Sequence, residues 1–179
     1  MSAGGLFALT TILSGLPRDF SLPVIIVQHR SREETTLLEE VISHKCLIRV
    51  KQADEKEAIA AGAVYFAPPD YHLLIEHDRS FSLSVEAPLN YSRPAIDILF
   101  ETAAAAYQSS LLAIILTGAS SDGTEGMKSV KRMGGTTIAQ DPTEADYPFM
   151  PQSAIATGMT DRILSLQQIR NYLLSLNKI

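Results

Sequence analysis

The sequence has one cysteine among its 179 residues, no excess of positive charge and no long apolar run. One cysteine, Cys46, cannot form an internal disulfide, so we expect a buried, inert thiol in a reducing compartment. A net charge of −5 argues against a nucleic-acid-binding face, which needs clustered lysine and arginine. No apolar run approaches the ~18 residues of a membrane span, and no signal peptide is recognisable. We therefore expect a cytoplasmic protein that neither binds nucleic acid nor inserts into a membrane.

The chain is long enough for one domain with a hydrophobic core, and we expect a single domain over residues 1–179. "LPVIIVQH" and "LLAIIL" are typical of strands buried on both faces, whereas "TTLLEEVISH" and "SRPAIDILFETAAAAY" have helical spacing, with Pro94 suited to a first helical turn. "HDRS" separates two extended runs and predicts an antiparallel hairpin. Ser165 and Gln168 have the spacing of a capping box. The alternation predicts an α/β fold with a mostly parallel sheet covered on both faces.

Functional groups of parallel α/β sheets gather beyond the carboxyl ends of the strands. His29 follows one predicted strand, and Asp122 follows another in a glycine-containing loop. Ser2 lies in a glycine-rich turn that leads into a helix, a place that a strand usually precedes, so we expect that the first central strand is missing before residue 1. A hydroxyl, an imidazole and a carboxylate are the groups of a nucleophile, base and orienting-acid relay.

Each of these residues also has an ordinary structural interpretation. Ser2 can be a helix N-cap, His29 a satisfied polar residue at a strand end, and Asp122 a turn residue. No cysteine or histidine spacing suggests zinc, and we expect no metal.

Several strings, in order along the chain, carry a family resemblance: "SAGG", "VQHR", "AGAVYFAPPDYHLL", "SRPAIDILF", "LTGASSDGTEGM", "GGTTIAQDP" and "MPQSAI". From Ser2 to about Ile155 the chain resembles the catalytic domain of the CheB family, the chemotaxis protein-glutamate methylesterases. The resemblance implies a three-layer, Rossmann-like, doubly wound sheet and a serine hydrolase that needs no cofactor. It further implies that Ser2 is the nucleophile, that His29 is the base and that Asp122 orients the imidazole.

The resemblance also implies a substrate and partner. The partners would be methyl-accepting chemotaxis receptors, whose glutamate γ-methyl esters are hydrolysed and whose glutamines can be deamidated by the same path. Backbone amides near Ala3, Gly4 and Ala119 would stabilise the oxyanion. The surface that meets the receptor would include Tyr71, His72, Arg93 and Met150. Arg30 after the histidine is typical of the stand-alone branch of the family, and we expect no receiver domain and no control by phosphorylation within the chain.

The chain departs from the best-known members at three positions near the predicted site. Ala119 and Ser120 stand where those members have methionine and glycine, so the pocket wall would be smaller although a backbone N–H remains. Ala3 stands where threonine is frequent, so any help from that hydroxyl is absent.

Three alternatives remain open at this point. The chain could be a catalytically inactive receptor-binding module of the same fold. It could be a nucleotide-binding oxidoreductase, because "TGASSDG" follows a strand and Asp141 ends the next one. If Met1 were removed, the free amine of Ser2 could act as its own base.

Overall fold

Strands and helices alternate along residues 1–29 and 37–177, the part of the chain that the computed structural model describes, with Leu37 described by its main chain only. Arg30 and the first two residues of "TTLLEEVISH" lie outside the described residues. The strands are β1 (Val24–Ile26), β2 (Arg49–Gln52), β3 (Ala63–Phe66), β4 (His72–Ile75), β5 (Phe81–Ser84), β6 (Leu112–Ile115), β7 (Thr136–Gln140) and β8 (Arg162–Leu164). The helices are α1 (Gly5–Leu13), α2 (Leu37–Ser43), α3 (Ile96–Tyr107), α4 (Thr124–Arg132), α5 (Phe149–Ala156) and α6 (Leu166–Leu176).

The parallel strands form two three-stranded sheets, in the orders β1-β3-β2 and β6-β7-β8. The main chain of Met1 and Ser2 lies between them. The Met1 nitrogen donates to the Val27 carbonyl at 3.1 Å, and the Met1 carbonyl accepts from the His29 amide at 3.0 Å. On the other side, the Ser2 amide donates to the Thr117 carbonyl at 3.0 Å. These bonds connect the carboxyl ends of β1 and β6 and place residue 2 between them.

The predicted hairpin is confirmed as the antiparallel pair β4 and β5, with Ile75 opposite Phe81. Its turn is held by Asp78, whose carboxylate accepts from the amide and hydroxyl of Ser80. Phe81 is fully buried and its ring packs edge-to-face on Tyr65 of β3. The hairpin is thereby attached to the parallel part of the fold.

Two apolar clusters cover opposite sides of the parallel strands. One cluster joins α1 and α6 to the inner residues of β1, β3 and β7, among them Leu9, Leu16, Ile138 and Ile169. The other joins α3 and α4 to the hairpin and to β6, among them Leu73, Leu99, Ile115 and Met127. Helices on both sides of the parallel strands explain why β1, β3 and β6 are continuously apolar.

Helix α3 begins at Ile96, so the prediction that Pro94 lies in its first turn is wrong. The first free amides of this helix, Ile96 and Asp97, donate to the side chain of Asp122. An acceptor from another part of the chain therefore caps this helix and fixes where it starts.

Cys46 is half-buried rather than fully buried. Burial raises the pKa of its thiol, which keeps the sulfur protonated and weakly nucleophilic at neutral pH. No helix in the described part of the chain is long and apolar enough to cross a membrane.

The capping box of α6 is present as predicted, with the Ser165 hydroxyl accepting from the Gln168 amide at 3.1 Å and the Gln168 side chain accepting from the Ser165 amide. Ser165→Ala is expected to lower the free energy of unfolding by about 1 kcal/mol, because the helix loses an N-cap acceptor. Urea denaturation measures it. Ser175→Ala, in the exposed last turn of the same helix, is the control, and an equal loss in both variants would contradict the capping role.

Candidate active site

Ser2 does not cap helix α1. The N-cap is Gly4, at φ +77°, and no side chain caps this helix. A Cβ at Gly4 would lie 2.8 Å from a carboxylate oxygen of Asp146, and one at Gly5 would lie 2.0 Å from Oε1 of Gln28. The two glycines therefore allow the turn to pass close to neighbouring side chains. The hydroxyl of Ser2 is left without a capping function.

His29 and Asp122 are brought together from strand ends that lie 93 residues apart. Nε2 of His29 is 2.7 Å from Oδ2 of Asp122. The histidine side chain is 14% exposed and the aspartate side chain is completely buried. The placement at the carboxyl ends of β1 and β6 agrees with the expectation for parallel sheets.

Asp122 lies in the turn before α4, but its side chain has a further role, because its carboxylate is the acceptor for three donors. Besides His29, the amide of Ile96 donates at 2.7 Å and the amide of Asp97 at 3.0 Å. Burial alone would raise the pKa of the Asp122 carboxyl, but the hydrogen bonds from His29 and these two amides outweigh it and the pKa is lowered. Asp122 is therefore ionised at neutral pH.

An ionised carboxylate only accepts hydrogen bonds, so the hydrogen between the two groups belongs to Nε2 of His29. In the neutral imidazole, Nδ1 is then the unprotonated nitrogen. The nitrogen that is available to accept a proton is thus Nδ1, whereas the Ser-His-Asp proteases use Nε2 as base and Nδ1 toward the acid.

Ser2 and His29 line one cleft of about 730 Å³, together with residues of α1 and the side chains of Leu38 and Lys45. The Ser2 hydroxyl and His29, both in the part of the chain that the structure describes, form no direct hydrogen bond with each other. Catalytic hydrogen bonds of free enzymes are frequently long and shorten when substrate binds.

The amides of Ala3 and Ala119 are candidates for an oxyanion site. Neither amide donates to a main-chain carbonyl of the described residues. Ala119 follows Gly118, and a Cβ at Gly118 would lie 3.1 Å from Cβ of Ser2. The loop after β6 therefore runs directly beside Ser2. Amides beside a nucleophile can polarise a developing oxyanion.

Two residues that sequence analysis did not identify hold Ser2 in place. Nε2 of Gln28 donates to the Ser2 carbonyl at 2.8 Å, and Oγ1 of Thr117 donates to the Ala3 carbonyl at 3.0 Å. Both residues adjoin motif residues, in "VQH" and "LTG". Their place in these motifs was the signal in the sequence that pointed to a role at the site. Neither the spacing nor the polarity of the two residues predicts that their side chains bond to the main chain of residues 2 and 3.

The expected substrate surface is partly wrong. His72 is completely buried, where Nδ1 accepts from the Ala95 amide and Nε2 bonds to the Ala87 carbonyl. Met150 is 1% exposed and packs on Gly118, so it supports the site from inside. Tyr71 is exposed, as expected.

Arg93 has a structural role in this conformation. Its guanidinium donates twice to Oδ1 of Asp70, at 3.1 and 2.7 Å, and to the carbonyls of Val85 and Glu86 at 2.7 and 2.9 Å. With its side chain only 14% exposed, it holds the loop after β5 rather than presenting a free charge.

Asp141 does not have the surroundings of a ribose-binding residue. Its carboxylate accepts from the amide and hydroxyl of Thr143, which is local turn chemistry. Within residues 1–29 and 37–177 no group of three or more histidine, cysteine, aspartate or glutamate side chains could hold a metal ion.

The fold and site together define a class: a parallel α/β protein with a serine, a histidine and a buried, ionised aspartate at the carboxyl ends of neighbouring strands, as in serine hydrolases. The family described as CheB methylesterase matches residues 1–173. The chain belongs to this family and is a carboxylic ester hydrolase by class. The resemblance and the predicted fold class are confirmed, and the oxidoreductase alternative is wrong.

Relatives from several bacteria support the assignment. A protein of Leptospira interrogans is 46% identical over 178 residues, which are 99% of this chain and 92% of that protein. The Thermotoga maritima protein named protein-glutamate methylesterase/protein-glutamine glutaminase is 36% identical over 98% of this chain and 52% of its own length. This chain spans about half of that relative.

A solved structure gives the same result for the fold. The crystal structure of the Thermotoga maritima CheB methylesterase catalytic domain matches with a TM-score of 0.94 at 36% identity, over 98% of this chain and 94% of that one.

A second buried carboxyl lies close to the site and has the opposite pKa shift. Burial, with a smaller contribution from the Asp122 charge, raises the pKa of Asp97 to about 6, although the Gly126 amide donates to its Oδ1 at 2.8 Å. An acid with a raised pKa in the folded state favours folding below its unfolded pKa of ~3.9 and loses this contribution as the pH rises through about 6.

Asp97→Asn should therefore gain stability relative to the parent as the pH rises from 4 to 7.5, by about 2 kcal/mol. Urea denaturation at both pH values measures the change. Asp78→Asn is the control, because hydrogen bonds from Ser80 lower the pKa of Asp78, so the relative stability of that variant should move in the opposite direction. A pH-independent difference for Asp97→Asn would show that its carboxyl does not titrate in this range.

Proposed function

We propose that this chain hydrolyses γ-methyl esters of glutamate side chains on methyl-accepting chemotaxis receptors, with Ser2 as nucleophile, His29 as base and Asp122 as the orienting acid. The observation that carries the proposal is the 2.7 Å contact between His29 and the buried, ionised Asp122 in the cleft that Ser2 lines. The names of the relatives supply the substrate class.

The reaction follows from the assignment of Nδ1 as the base nitrogen. Oγ of Ser2 attacks the ester carbonyl while its proton passes to Nδ1 of His29, and Asp122 stabilises the imidazolium through Nε2. The amides of Ala3 and Ala119 would face the oxyanion. The bond between the former carbonyl carbon and the methoxy oxygen breaks, which leaves the acyl group on Ser2, and the imidazolium proton converts the leaving methoxide into methanol. Water then hydrolyses the acyl-enzyme by the reverse proton path.

The same path deamidates glutamine when ammonia replaces methanol as the leaving group. No step needs a metal or an organic cofactor. Substrate on the cytoplasmic part of a receptor places this activity in the cytoplasm, and the single catalytic domain of residues 1–179 would meet it at the cleft beside α1.

Ser2→Ala is expected to abolish ester hydrolysis with little change in Tm, because the hydroxyl is the nucleophile and few packing contacts are lost. Triad knockouts reduce kcat by up to ~10⁶-fold. Methanol release from receptor-containing membranes methylated beforehand measures it. Ser14→Ala, an exposed residue at the end of α1, is the control and should retain parent activity.

A fluorophosphonate probe distinguishes the enzyme from an inactive receptor-binding module of the same fold. The parent should be labelled on Ser2 and the Ser2→Ala variant should not. A parent that binds receptor membranes but neither reacts with the probe nor releases methanol would contradict the proposal.

Asp122→Asn is expected to reduce kcat by about 10³- to 10⁴-fold. The carboxylate serves donors at both oxygens, whereas an amide has one acceptor oxygen and two N–H donors, so either His29 or the start of α3 loses its acceptor. Asp141→Asn is the matched control. A kcat for Asp122→Asn within tenfold of the parent, at equal Tm, would show that another acid orients His29.

A further inference from the structure

The second ring nitrogen of His29 has its own protein partner. Oγ of Ser92 lies 3.5 Å from Nδ1, on the side of the ring opposite to Asp122. Ser92 also lines a smaller recess of about 310 Å³ with His29, Tyr91, Arg93 and Pro94. The hydroxyl thus lies beside Nδ1, the nitrogen that accepts the proton of Ser2 in the proposed mechanism.

Ser92 is the last residue of a four-residue β-turn, residues 89–92. The amides and carbonyls of Leu89 and Ser92 exchange two hydrogen bonds, of 3.1 and 2.9 Å. Asn90 and Tyr91 between them have φ values of 49° and 63°. Two consecutive left-handed residues give a tight turn and cost energy for side chains other than glycine. Such a turn persists when surrounding contacts hold it.

Those contacts are present at both ends of the turn. Nδ2 of Asn90 donates to Oδ2 of the buried Asp97 at 3.3 Å. Directly after the turn, Arg93 is held by Asp70 and by two carbonyls of the loop after β5. The backbone amide of Asp97 in turn donates to Asp122. One residue of α3 therefore fixes the acid through its main chain and the turn through its side chain.

A hydroxyl suits a nitrogen that changes its role during the reaction. Before Ser2 engages the base, the hydroxyl can donate to Nδ1 of the neutral imidazole, and once the ring is protonated it can accept from Nδ1–H, because it carries one hydrogen and two lone pairs. Alanine can do neither. A rigidly held hydroxyl at this place keeps the ring in one orientation in both states.

We propose that Ser92 is a positioning residue for His29, holding the imidazole from the side opposite to Asp122 through a long contact at Nδ1 that Ser2 can displace. This role rests on the proposed function, since it takes His29 as the general base. Ser92 contacts neither substrate nor nucleophile in this arrangement and acts only through the ring.

The test compares Ser92→Ala, Ser92→Thr and the exposed control Ser175→Ala in the full chain. One net hydrogen bond corresponds to about a three- to tenfold change in rate. Ser92→Ala should lower kcat for methanol release and the rate of fluorophosphonate labelling by that factor, with KM within twofold and Tm unchanged. Ser92→Thr, which keeps the hydroxyl, should restore both rates to near the parent value.

Several outcomes overturn the role of Ser92. An unchanged kcat in Ser92→Ala shows that the hydroxyl does not position the ring, and a faster rate shows that it competes with Ser2 for the base. Equal losses in the alanine and threonine variants assign the effect to shape rather than to the hydroxyl. A parent without Ser2-dependent labelling is a failure of the proposed function instead, so the two failures are distinguishable.

Discussion

The buried carboxylate of Asp122 is the interaction on which the site depends. A charge without solvent costs several kcal/mol unless donors surround it, and here three donors from two parts of the chain do so. Two of them are the first free amides of α3, so the acid also determines where that helix begins. Because the same oxygen, Oδ2, accepts from Ile96 and from His29, the position of the imidazole is tied to the end of a helix. The Asp122 carboxylate therefore serves both the start of helix α3 and the imidazole of His29.

Ser2 is fixed in a different way, by its main chain. Its amide and carbonyl bond to Thr117 and Gln28, which stand at the carboxyl ends of β6 and β1. The hydroxyl is therefore located by the two strands that also deliver Asp122 and His29. Small residues are needed throughout this turn, since Gly4, Gly5 and Gly118 each face a neighbouring side chain at close range. Precise placement of the nucleophile thus arises from backbone bonds and from the absence of side chains.

Local sequence patterns predicted many of the secondary-structure elements of this molecule. The apolar run "LPVIIVQH", the hairpin around "HDRS" and the capping box at Ser165 depend on neighbours in sequence, and the rule for strand ends identified His29 and Asp122. The errors concern non-local contacts. Alternation along β4 does not say which face α3 covers, so the burial of His72 was missed, and a sequence gives no sign that Arg93 is bound by Asp70. Likewise, Pro94 has the right chemistry for a first helical turn, but the acceptor that starts α3 lies 26 residues beyond Ile96, at position 122.

The two carboxyls near the start of α3 show how environment separates their behaviour. Asp122 takes the helix amides and His29, and its pKa falls, whereas Asp97 is one residue inside the helix, beside that charge, and its pKa rises to about 6. Asp97 therefore changes protonation state near neutral pH while Asp122 stays ionised. Its contact with Asn90 can survive this change, because an amide presents an N–H to a carboxylate or an oxygen to a carboxylic acid. The Ser92 hydroxyl has the same dual capacity toward His29. The contact of the turn with Asp97 and its contact with His29 are thus both made by groups that donate as well as accept, and the histidine can gain and lose a proton while its support remains in place.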